Sequence, residues 1–166
     1  MATRTEHSSN QIQIPPELVL TRLIDAPREL VYRAWTEPAH LAQWWGPRGF
    51  TNPVCEIDLR PGGAILIHMQ APDGSVFPMK GTFKEIVPPE RLVFVSSALE
   101  DENGIPALEA RNTILFEDAG GKTKLIVIDQ VTRVTPAAAF AIAGMEQGWG
   151  ETLDKLVEFI ASTAKE

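Results

Sequence analysis

Cysteine is almost missing from this chain: Cys55 stands alone among 166 residues. An internal disulfide is excluded, and nothing points to an oxidising compartment. Positive charge is scarce too. The chain carries 15 Lys and Arg against 22 Asp and Glu, a net charge of −7. That balance argues against a nucleic-acid surface, which needs clustered cations, and against an anionic membrane. Residues Met1 to Asn10 are polar and lack the apolar run of a signal peptide. The longest apolar run, Ala137 to Met145, is well short of the roughly 20 residues that cross a bilayer. The expectation is a cytoplasmic protein with no membrane insertion and no nucleic-acid partner.

Reaction-defining motifs are equally sparse. A metal site needs three or four ligands at local spacing, and His7, His40, His68 and Cys55 form no such pair. Cys55 lies in an expected strand between Val54 and Glu56, the setting of a structural thiol. No serine sits in a Gly-x-Ser-x-Gly context, so an acyl-transfer triad has no support. Gly62-Gly63 and Gly120-Gly121 read as turns, and no phosphate-cradling loop is present. No metal and no cofactor are expected.

What the chain does have is clear periodicity. Residues 1–16 end in Pro15-Pro16 and are expected as a flexible tail, leaving 17–163 as one domain. Leu18 to Ile24 reads as a strand. Asp25-Ala26-Pro27 opens a helix whose apolar face is Leu30, Val31, Ala34 and Trp35. A second short helix follows Pro38, with Leu41, Trp44 and Trp45 as its apolar side, until Gly46-Pro47 breaks it. Strands are expected over Val54–Leu59, Ala64–Gln70, Val76–Val87, Leu92–Ala98, Ala110–Glu117 and Lys122–Val131. Short turns between them imply antiparallel pairing. In the third of these, Phe77, Met79, Gly81 and Phe83 alternate with Pro78, Lys80, Thr82 and Lys84, which gives the sheet one greasy face.

Thr135-Pro136 marks the start of the longest helix, expected over 136–163 with Thr135 as N-cap. Its second half carries an apolar stripe of Met145, Trp149, Leu153, Leu156, Val157 and Ile160. Gly144, Gly148 and Gly150 weaken its first half by about 1 kcal/mol each against alanine and permit a kink or close packing.

The segment Asp25-Ala26-Pro27…Val31…Ala34-Trp35-Thr36…Pro38…Leu41…Trp44-Trp45-Gly46-Pro47 resembles the START-like (SRPBCC) superfamily. More narrowly it resembles the bacterial branch named after the activator of heat-shock protein 90 ATPase homologue. Asp58-Leu59-Arg60-Pro61-Gly62-Gly63, Gly81-Thr82-Phe83, Pro88-Pro89-Glu90-Arg91-Leu92 and Gly148-Trp149…Leu153…Leu156 agree with it. The resemblance implies an α+β helix-grip (START/Bet v-like) fold: a curved antiparallel sheet around a long C-terminal helix, with two short helices after the first strand. It also implies a cavity for a small hydrophobic or amphipathic molecule. The co-chaperone that names the branch carries a second domain for which these residues leave no room, so the family name is not read as a function.

If such a cavity is open, the residues expected to line it are Trp35, Trp44, Trp45, Phe50, Met69, Phe77, Met79, Phe83, Phe94, Met145, Trp149 and Leu153. Trp35 and Trp44 are expected to face Trp149. Trp45 and Phe50, beside Gly46 and Gly49, are expected at the entrance. The competing expectation is that these side chains simply fill the core. A cyclase- or dehydratase-type enzyme is a second reading, and Glu85 and Glu146 are its candidate acids or bases. His68 falls on the opposite face from Ile65, Ile67 and Met69, and a solvent-side role is favoured for it. A third reading is a protein-interaction module, a chaperone partner or a homodimer, using Val93, Val95 and the Ala137–Ala143 run as a sticky surface.

Overall fold

Seven strands form one antiparallel sheet in the order β1-β7-β6-β5-β4-β3-β2. The computed structural model describes residues 13–164, so most of the expected tail lies outside the described residues. The strands are β1 (Leu18–Ile24), β2 (Thr51–Ile57), β3 (Ala64–Gln70), β4 (Val76–Val87), β5 (Arg91–Glu100), β6 (Pro106–Ala119) and β7 (Lys122–Val134). Between β1 and β2 lie α1 (Arg28–Thr36) and α2 (Pro38–Trp44). This is the helix-grip arrangement expected from the sequence.

Local chemistry explains the element ends. Pro27 is the N-cap of α1 itself, one step later than expected, and no side chain caps that end. Pro38 opens α2 at a position where a missing N–H costs nothing. Gly46 (φ +90) and Gly49 (φ +89) then turn the chain through conformations that residues with a Cβ rarely adopt.

The long C-terminal helix is not continuous. A 3-10 turn (Pro136–Ala138) leads into α3 (Ala139–Ala143), and α4 runs from Met145 to Ala164. Gly144 separates them at φ −101, ψ 6, outside helical geometry. The break falls at the first of the three glycines, where the helical backbone is least favoured. Thr135 holds the N-cap position, but its side chain makes no capping bond.

The core lies where α1, α2 and the second half of α4 meet the sheet. Leu153, Leu156 and Ile160 of α4 pack with Val31, Trp35, Leu41 and Trp44 against Ile114, Phe116, Leu125 and Val127. Each such aliphatic side chain contributes about 1.5–3 kcal/mol by leaving water. The indole N–H of Trp44 donates to the Ala34 carbonyl oxygen at 3.0 Å, which satisfies the polar atom of a side chain that is otherwise sealed.

One expectation about the outer face changes. Val93, read as part of a sticky surface, is 0 % exposed. In register it sits between Glu85 of β4 and Thr113 of β6. Val95 is half-buried, while Phe140 in the Ala137–Ala143 run is largely exposed.

Candidate functional site

A change in side-chain size along the inner face of the sheet creates the site. Toward one end, β6 presents Ile114 and Phe116 inward, and β5 and β7 present Leu92 and Leu125; all are buried in the core. Two to six residues further along, the same faces carry Ala110 and Asn112 on β6 and Ser96 and Ala98 on β5. Ser96 pairs with Ala110, Ala98 with Leu108, and Asn112 with Asp129 of β7. Small side chains side by side leave space that the helix above does not fill.

That space is a cavity of about 360 Å³. Its floor is the inner face of β3 to β7. Its roof is α3 and the first half of α4, including Gly144, Met145, Gly148, Trp149 and Thr152. Its side is the Trp45–Phe50 loop, where Phe50 lies 6.3 Å from Phe77 between ring centroids. Phe140 also lines it and is 63 % exposed, so it stands at the rim. The volume is of the size that takes a small organic ligand.

The loop beside the cavity is tied to α4 by polar contacts. Lys155 donates from Nζ to the carbonyl oxygens of Gly46 (3.1 Å) and Pro47 (3.3 Å). Burial, followed by the neighbouring Arg48, lowers the pKa of that ammonium. The Arg48 backbone N–H donates to Glu151 at 3.1 Å, and its guanidinium pairs with Glu158.

The cavity is not wholly apolar. Asp129, 4 % exposed, projects from β7 among Asn112, Trp149 and Thr152. The indole N–H of Trp149 donates to its Oδ2 at 2.9 Å. Its Oδ1 meets no donor among the described residues. Burial pushes this carboxyl above the usual carboxylate range, and the Trp149 hydrogen bond opposes the shift. Asn112 donates to Ser96 Oγ at 3.0 Å, and the Thr152 hydroxyl donates to the Gly148 carbonyl oxygen at 2.8 Å.

The family described as activator of Hsp90 ATPase homolog 1-like protein matches residues 25–161. The chain belongs to that family. Solved structures agree over almost the whole chain. One from Nitrosomonas europaea is 29% identical, with TM-score 0.74, over 90% of this chain and 97% of that one. One from Rhizobium leguminosarum is 26% identical, with TM-score 0.78, over 90% and 97%. The AHSA1 protein of Silicibacter pomeroyi is 24% identical, with TM-score 0.73, over 89% and 99%, and supports the fold alone. No curated protein matches the chain.

Within this activator-homolog-like domain, the residues expected at a cavity divide into three groups. Trp45, Phe50, Met69, Phe77, Met79, Phe94, Met145 and Trp149 line the 360 Å³ cavity. Trp35 and Phe83 instead border a void of about 20 Å³, too small for a ligand. Trp44 and Leu153 are both 0 % exposed and belong to the core. The expected Trp35–Trp44 face toward Trp149 is therefore replaced by Trp45. Its ring lies 5.6 Å from Trp149, 6.1 Å from Trp35 and 5.8 Å from Trp44. The reason is helix phase: α2 ends at Trp44, and Trp45 follows in extended backbone that turns its ring toward the cavity.

The candidate acids lie elsewhere. Glu146 is exposed on α4. Glu85 follows a register shift between Phe83 and Glu85, which breaks the alternation and sends it out of the inner face. There it pairs with Arg91 at 3.1 Å and Arg111 at 3.8 Å. His68 is half-buried and does not line the cavity.

Asp129 is the residue that sequence reading missed, although a signal existed. On β7, Thr123, Leu125, Val127, Asp129 and Val131 share one face, and all are buried. A lone aspartate in that register is a polar group placed inward.

Proposed function

We propose that the chain binds a small amphipathic molecule in the cavity between the sheet and α4. The observation that carries this reading is an open volume walled by Trp45, Phe50, Phe77, Phe94, Met145 and Trp149, with one polar cluster in its wall. Aromatic rings supply apolar contact, methionines adapt their shape, and convergent polar groups orient a ligand. The family match and the structural likeness support a fold of the ligand-binding type.

An enzymatic reading of the cyclase or dehydratase type rested on Glu85 and Glu146. With both outside the cavity lining, it loses those candidates.

Titration with the neutral fluorescent probe N-phenylnaphthylamine tests the proposal. The expected result is saturable dye emission with quenching of tryptophan emission, and loss of both in Ala110→Phe. Ala110 lines the cavity from the floor, so the larger ring occupies the space while the sheet remains. Unchanged dye binding by a folded Ala110→Phe protein would move the site elsewhere.

A further inference from the structure

Resting on that binding reading, we infer that the cavity recognises a lipophilic organic cation: an amine on an apolar, preferably aromatic, body, held by Asp129.

Among the described residues that line the cavity, Asp129 alone is ionisable. No lysine, arginine or histidine faces it from the lining. A buried carboxyl without a cationic partner is costly to keep, because burial strips its water and returns nothing. One contact nevertheless favours the charged form. The Trp149 N–H is directed at Oδ2, and this donor favours a carboxylate over a neutral acid.

That hydrogen bond also fixes which oxygen is left. Among the described residues Oδ1 has no donor, and the nearby polar groups are already engaged: Asn112 with Ser96, and Thr152 with its own helix. The missing contact is one donor; Oδ1 itself is sealed, so a ligand in the cavity that Asp129 lines reaches it through a small turn of the carboxyl. A protonated amine supplies it and neutralises the buried charge in the same step.

The walls fit the rest of such a molecule. The Trp45 and Trp149 rings, and Phe94 on the floor, offer apolar surface and π-faces to which a cation is drawn. The overall charge of −7 favours approach of cations over anions.

Calorimetric titration of the whole protein at neutral pH with naphthylmethylamine and its uncharged counterpart naphthylmethanol decides the matter. The amine is expected to bind at least about tenfold tighter, the gain typical of a hydrogen bond to a charged group. In Asp129→Asn that preference should vanish. The wild-type ratio is informative even if the variant does not fold. Equal affinities, or a preference that survives in folded Asp129→Asn, overturn the cation inference and leave the cavity reading standing. Binding of N-phenylnaphthylamine without binding of the amine does the same. If none of the three probes binds, the cavity reading fails and the inference fails with it.

Discussion

Asp129 is the residue with the sharpest consequence for stability. Burial holds its carboxyl above the range it has in the unfolded chain. Folding therefore takes up a proton there between the two values. The stability this group contributes is full below the unfolded value and is lost as pH rises through the folded one. Wild type measured against Asp129→Asn should lose ground as pH rises from acid toward neutral, read from urea midpoints across that span. A difference that stays flat would mean the carboxyl is not held as described. Trp44 makes the opposite kind of prediction, a loss independent of pH. It is 0 % exposed and its N–H is paired, so Trp44→Ala should cost about 3–5 kcal/mol in equilibrium unfolding, the range for emptying a large aromatic site.

At the scale of elements, the glycines of the sheet and helix carry different obligations. A side chain at Gly81 of β4 would place Cβ 2.6 Å from the Val95 carbonyl oxygen on the next strand. At Gly150 of α4 the nearest foreign atom is Arg22 Nη2 at 3.7 Å, an ordinary contact. Gly150→Ala should therefore raise stability by about 0.5–1 kcal/mol through helix propensity, whereas Gly81→Ala should lower it. Thermal melts of the two variants would show shifts of opposite sign.

Much of this level was readable in the sequence because alternation and turn residues agree. β1, β3 and β4 begin and end where the pattern says. What escaped was phase. The register shift after Phe83 moved Glu85 outward, and the end of α2 at Trp44 gave the cavity to Trp45. A bulge and a helix terminus each slip the count by a fraction of a period, and neither leaves a compositional mark.

For the whole molecule, the sequence conveys which faces are apolar but not whether they meet. The cavity exists because Ser96, Ala98 and Ala110 are small where their strand neighbours are large, and because the helical run breaks at Gly144. Summed volume across three strands and a helix is a property of the assembled fold, which no local window contains. The one thiol offers a probe of that assembly. Burial, with Glu56 adding to it, pushes the Cys55 thiol up to about 11. Alkylation of the native protein at neutral pH should run about a hundredfold slower than for a free cysteine and recover on unfolding in urea. Fast labelling under native conditions would show that β2, at the sheet edge, opens without the rest.

The four indoles have an optical consequence. Trp35, Trp44, Trp45 and Trp149 form a chain of edge contacts with centroid spacings of 4.7–6.1 Å, reaching from sealed core to cavity wall. Rings at such separations share excitation, so their ultraviolet transitions couple into a collective circular-dichroism band. An occupant touching only Trp149 would alter the spectrum of indoles it never meets.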